Sequence, residues 1–212
     1  GFQAMLTAIF WFAGRQNPAP DAAAWWLIQV IFTNLACIYL LYRLLKREGL
    51  PLISLYRVEK HNIGKEILVM LGLLVIGLPL GALPNTFLAE WLFGDPIIPA
   101  VMMFKPIPNW AMVIGLLFPL TIAFAEIPFY FAYLMPRMQS AFNTKWPITI
   151  ICGLALAAQH ITLPLLSDGR FIVWRLLMYL PFALFVGIVL QIRPRLLPYF
   201  MVVHALMDFS AL

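Results

Sequence analysis

From residue 110 to residue 138 the chain is almost wholly apolar, with a single carboxylate, Glu126, near the middle. Few folds accept such a stretch. The hydrocarbon core of a bilayer takes about 20 apolar residues per helix, and only structures that satisfy their own backbone hydrogen bonds persist inside it. A membrane-crossing helix is the direct reading, and composition agrees with it. The chain is 63% hydrophobic and 11% charged, whereas a water-soluble domain is about a quarter charged.

Segments of this kind recur over about 25–45, 66–83, 110–138, 146–166, 172–192 and 196–212, with short connections that leave no separate soluble domain. The expected fold class is an all-α polytopic membrane protein, a bundle of about six transmembrane helices forming a single integral membrane domain over 1–212. The run at 5–12 is too short to span and reads as a short N-terminal interfacial helix. Because the chain opens on Gly1, a trimmed or processed end is expected, and the run does not decide whether it is a signal remnant. Trp25 and Trp26 read as an interfacial anchor. Gly72, Gly77 and Gly81 permit close helix contact in the second segment. The Pro-rich stretch 84–109 reads as a loop with an amphipathic piece at 87–93 that caps the membrane face.

The net charge of +5 does not indicate nucleic acid, because the basic residues sit beside apolar spans and form no continuous face. Anionic headgroups of the lipid bilayer are the expected partner. The strongest cluster is the linker carrying Arg43, Lys46, Arg47, Arg57, Lys60 and Lys65 against Glu48, Glu59 and Glu66. Counted by alternating sides, ten Lys and Arg fall with the connections at 43–65, 137–145 and 193–195, against four opposite, Arg15, Lys105, Arg170 and Arg175. The positive-inside rule then places those three connections in the cytoplasm and both termini outside. An integral multi-pass protein of the cell (inner) membrane is expected, with Arg175 snorkelling to the interface. Cys37 and Cys152 fall inside spans and imply no disulfide framework.

Four ionisable side chains lie deep in these spans: Glu126, His160, His204 and Asp208. A charge at the bilayer centre costs about 2.5 to 3.5 kcal/mol on insertion scales, so each is a functional candidate. His204 and Asp208 are four apart and share a helix face. Glu126 and His160 come from neighbouring antiparallel spans, and in one pocket such a pair exchanges protons and can hold and deprotonate a water. Pro128 cannot donate to the carbonyl of Phe124, nor Pro164 to that of His160, so each helix is weakened within a turn of its polar residue. Irregular backbone at membrane depth is tolerated where it is packed in protein or lines a wet cavity. Asn34 and Gln159 read as helix-packing polar groups. Taken singly, each membrane histidine is as well explained by packing as by chemistry; the conjunction of two His and two acids on three spans favours chemistry. Zinc on Glu126, His160 and His204 is an alternative, but no His-Glu-x-x-His segment supports it. Neither Ser210 nor Cys152 lies in a motif that marks an activated nucleophile.

Three segments carry a resemblance. Glu-Ile-Pro-Phe-Tyr-Phe-Ala-Tyr-Leu-Met-Pro-Arg at 126–137, Leu-Ala-Ala-Gln-His at 156–160 and His-Ala-Leu-Met-Asp at 204–208 resemble, in order and spacing, the Glu-Glu-x-x-x-Arg, Phe-x-x-x-His and His-x-x-x-Asn/Asp motifs of the CPBP family. These are the CAAX prenyl protease and bacteriocin-processing membrane proteins, also described as glutamate-dependent intramembrane proteases. The resemblance covers 110–212. In one register Ile127 and Phe131 stand where the second Glu and the Arg would fall; in the other, Ala125 precedes Glu126 and Tyr130 takes the Arg position. Either way one carboxylate and one cation are missing together, which avoids stranding a buried charge.

The resemblance implies that Glu126 activates water, His160 helps orient it, His204 stabilises the oxyanion and Asp208 fixes His204 or its network, with no cofactor required. The expected function is an intramembrane endopeptidase acting on a membrane-associated peptide or protein, prenylated or not. A scaffold or binding protein that has lost proteolysis is the second reading, argued from the missing Glu and Arg. A proton-coupled carrier is the third, since buried Glu and His also build proton relays.

Overall fold

The computed structural model describes residues 1–58 and 63–210. Glu59 and Lys60 of the basic linker, and residues 211–212 at the end of the sixth expected span, lie outside the described residues. Among the described residues the chain is helical with no strand. Four helical stretches among the described residues are long and apolar enough to cross a membrane: Trp26–Arg47, Ile63–Phe93, Asn109–Phe142 and Gly169–Ile192. In chain order the helices are α1 (Phe2–Phe12), α2 (Pro18–Ala24), α3 (Trp26–Arg47), α4 (Ile63–Phe93), α5 (Ile98–Met103), α6 (Asn109–Gly115), α7 (Phe118–Ile127), α8 (Met135–Phe142), α9 (Trp146–Gln159), α10 (Gly169–Ile192) and α11 (Leu197–Ser210).

One expected span is short. Helix α9 has 14 residues, or about 21 Å at 1.5 Å per residue, against a hydrocarbon core of about 30 Å; α11 is described over Leu197–Ser210. Helix α9 ends just before His160, where the backbone tightens into a 3-10 turn over His160–Thr162. The N-terminal run forms α1, an 11-residue helix with no buried residue. It is tied to the loop after α9 by Gln3, whose side chain donates to the Leu165 carbonyl and accepts from the Leu165 amide, both at 2.8 Å.

The stretch 84–109 is not a loop from its first residue. Pro79 and Pro84 both lie inside α4, which continues to Phe93. A proline removes one helical hydrogen bond, but an open loop among apolar side chains would leave many backbone groups without partners, and the helix is the smaller loss. It ends at Gly94, whose φ of +75° is the left-handed geometry that glycine adopts at helix ends. Asn143, φ +48°, ends α8 the same way.

The third long stretch is broken near Glu126. After α7 the backbone loosens into a π-helical segment, Pro128–Leu134, before α8. Pro128 explains it: without an N–H it cannot bond the Phe124 carbonyl. That carbonyl instead accepts the Tyr56 hydroxyl at 3.0 Å.

Helix α10 packs most extensively on α9 and α4, and α7 on α3 and α11. The largest apolar cluster joins Ile127, Phe131, Leu156, Phe182, Val186 and Phe200. Glycines let the helices close up: a Cβ on Gly153 would lie 2.9 Å from Leu184 Cδ2 and 3.3 Å from its Cα, and one on Gly187 would lie 2.8 Å from Phe131 Cε1. Of the three glycines expected at contacts in α4, Gly77 and Gly81 meet Phe185, Phe182 and Met207, whereas Gly72 faces open space. Trp26, expected at the interface, is instead buried and packs edge-on to Phe104 and Phe118. Asn34 does pack helices, donating to Thr121 Oγ1 at 3.0 Å.

Candidate functional site

The four ionisable residues singled out from the sequence converge on one cluster. Glu126 stands in the last turn of α7, His160 follows the end of α9, and His204 and Asp208 lie one turn apart on α11. Because α7 packs against α11, the carboxylate of Glu126 reaches both imidazoles. Its Oε1 lies 3.4 Å from His160 Nε2 and its Oε2 lies 3.2 Å from His204 Nε2. Asp208 Oδ2 sits 3.3 Å from the same His204 Nε2 but makes no hydrogen bond in this arrangement. One N–H on His204 thus faces two carboxylate oxygens. The cluster is sequestered, Glu126 being 6% and His204 9% exposed.

Hydrogen bonding fixes the tautomer of His160. Its Nδ1 lies 2.9 Å from the Leu156 carbonyl, which can only accept, so the ring proton is on Nδ1. In the neutral ring Nε2 then presents a lone pair to Glu126. Two acceptors face each other there, and a donor placed beside them can serve both.

Four further residues complete the surroundings. Gln159 was read from the sequence as a packing group; its Nε2 donates to Glu126 Oε1, and its Oε1 accepts from the Tyr130 hydroxyl at 3.0 Å. Tyr130 stands four residues after Glu126, a spacing that was legible in the sequence. Arg175 does not snorkel. It is 3% exposed and donates to the carbonyls of His160 and Leu163 at 3.0 and 2.9 Å and to the Tyr179 hydroxyl at 3.3 Å. The reason is backbone demand: Pro164 leaves the His160 carbonyl without its helical donor, and the guanidinium supplies one. Tyr179 stacks on the His160 ring, with centroids 3.9 Å apart and planes at 26°.

Two cavities border the cluster, and Glu126, His160, Tyr179 and Asp208 line both. The first, about 120 Å³, also presents Asn34, Gln159 and Arg175 beside Trp26 and Phe118. The second, about 290 Å³, is walled by Leu78, Ala82, Phe182, Val186 and Met207. At about 30 Å³ per water, either has room for several waters. Among the described residues no group of three or more His, Cys, Asp or Glu is arranged to hold a metal ion.

In one register of the motif the departing positions are Ile127 and Phe131; in the other, Tyr130 donates to Gln159. Ile127 and Phe131 are 1% and 3% exposed and belong to the main apolar core. A further buried acid, not singled out from the sequence, lies away from the cluster. Glu66, at the start of α4, is 2% exposed and pairs with Arg195 at 3.2 Å.

Fold and site together define an all-α membrane protein with a buried carboxylate and imidazole cluster. No protein-family model matches the chain, and neither does any curated protein or solved structure.

Proposed function

We propose that the cluster activates water to hydrolyse a peptide bond in a membrane-associated peptide or protein, as an intramembrane endopeptidase of the CPBP type. The observation that carries the reading is the approach of Glu126 to both imidazoles, at 3.4 and 3.2 Å, in a buried site bordered by cavities. A water beside Glu126 Oε1 and His160 Nε2 donates one hydrogen to each, and its lone pair faces the substrate carbonyl carbon. As its oxygen forms the new C–O bond, its proton passes to Glu126. The oxyanion takes a hydrogen bond from the His204 N–H that otherwise faces Glu126 and Asp208. Glu126 then returns the proton to the departing amine as the C–N bond breaks. Helices α9 and α11 complete a six-span bundle in the cell (inner) membrane, and the substrate is prenylated or carries another apolar group suited to the larger cavity. No cofactor takes part.

The test is cleavage of membrane peptides by the purified protein in lipid vesicles. Glu126→Gln and His160→Ala are each expected to lower the rate by at least about a hundredfold, the lower range for losing an acid–base group. A rate that survives both changes contradicts the mechanism, as does loss of activity on chelation, which would point to the zinc alternative.

The apolar burial of Ile127 and Phe131 favours a second reading, a binding or scaffold protein of the same fold without hydrolysis. It predicts that a partner captured by the wild type is bound equally by Glu126→Gln and is released uncut.

A further inference from the structure

Arg175 lies within α10, a helix long and apolar enough to cross a membrane. Desolvating a guanidinium there is costly, so its place calls for a physical reason. A direct ion pair is not that reason: among the described residues no carboxylate lies within ion-pair distance of Arg175, although its charge acts at longer range on Glu126 and Asp208. Its donors go to three neutral acceptors, and all three belong to the surroundings of His160. Nε bonds the His160 carbonyl at 3.0 Å, Nη2 bonds the Leu163 carbonyl at 2.9 Å, and Nη1 bonds the hydroxyl of Tyr179 at 3.3 Å.

These contacts fall where His160 has least support. A helix leaves its last carbonyls unbonded, α9 ends at Gln159, and Pro164 removes a further donor. The imidazole itself is held at its edge by the Leu156 carbonyl and on its face by Tyr179. Tyr179 is four residues after Arg175 on the same helix, so one side chain grips both the backbone of His160 and the ring stacked on it. The planar fork of a guanidinium is suited to several fixed acceptors in a way that a lysine ammonium is not.

We infer that Arg175 is a positioning residue for His160: it secures the end of α9 and the Tyr179 stack, and so keeps Nε2 directed at Glu126. The inference rests on the reading of His160 as part of a water-activating site. It acts through geometry, and Arg175 itself touches no reacting atom.

The test uses the full chain in lipid nanodiscs, with ¹⁵N-labelled histidine rings assigned through His160→Gln and His204→Gln. Wild-type His160 is expected to give one set of ring signals, that of the Nδ1–H tautomer. Arg175→Lys, which keeps the charge but not the fork, should shift or split the His160 signals while those of His204 stay in place. Tyr179→Phe, which keeps the stack and loses only the hydroxyl, should move them less. In the cleavage assay Arg175→Lys is expected to lower kcat about tenfold at unchanged KM, the pattern of an interaction made in the transition state. Unchanged His160 signals in a folded Arg175→Lys protein overturn the inference, and Arg175→Gln supplies the same comparison with the charge removed. A wild type that cleaves nothing while its His160 signals respond to Arg175→Lys counts against the protease reading and leaves the positioning role standing.

Discussion

At the scale of single residues, what a side chain does here is set by the backbone groups left open around it. Two prolines free carbonyls beside the cluster, and two polar side chains from elsewhere answer them, Tyr56 for Phe124 and Arg175 for His160. Tyr56→Phe is therefore expected to destabilise the fold by about 1 kcal/mol, the net worth of one hydrogen bond, read as a lower unfolding temperature in detergent. Outside the apolar segments, Asp168 caps α10 by accepting from the amides of Arg170 and Phe171. Its carboxyl is held below the usual carboxylate range, chiefly by the Arg170 side chain and further by those amides. A depressed folded-state value gives stability that is present above the unfolded value, about 3.9, and is lost as pH falls through the folded one. Asp168→Ala should cost about 1 kcal/mol at pH 7, and the gap from wild type should close below about pH 4. A gap independent of pH would show that the cap carries no such linkage. The four clustered residues were legible in the sequence because ionisable groups are rare in apolar spans. Arg175 was misread because a snorkelling arginine and one that turns inward have the same sequence signature until the fold places the open carbonyls.

At the scale of elements, packing decides matters that composition leaves open. The glycines of α4 look alike in sequence, yet Gly77 and Gly81 lie against α10 and α11 while Gly72 faces open space. Substitution should separate such cases by sign. Gly72→Ala is expected to stabilise by up to about 1 kcal/mol through helix propensity. Gly153→Ala meets the Leu184 side chain and backbone, and overpacking of about 1 to 3 kcal/mol outweighs the same propensity gain. Thermal unfolding of the two variants checks the pair, and equal shifts would contradict the packing of α9 on α10. Helix existence was readable from apolar length, but the extent of α4 was not, because prolines that signal a loop in water are tolerated where a loop has no solvent. The shortness of α9 escaped for the complementary reason: apolar residues continue to Leu163 and Leu165 while the backbone has already left the helix. The π-helical turn after Glu126 was announced by Pro128 only as a weakness, and π segments of this kind often accompany functional sites.

At the scale of the whole molecule, the arrangement brings charge to a few places. Glu48 at the end of α3 pairs with Arg137 of α8, whose side chain also stacks over Tyr133, and the Arg137 bond holds the Glu48 carboxyl below its ordinary value. Glu66 and Arg195 tie the start of α4 to the turn before α11. The cluster on which the proposed chemistry depends is bordered by two cavities. The most direct measurement is cleavage of a membrane peptide in vesicles prepared in ¹⁸O-water, with the new C-terminal carboxylate read by mass spectrometry. The account predicts one ¹⁸O in the product of the wild-type protein and no product from Glu126→Gln. Labelled product formed at an equal rate by Glu126→Gln would contradict it.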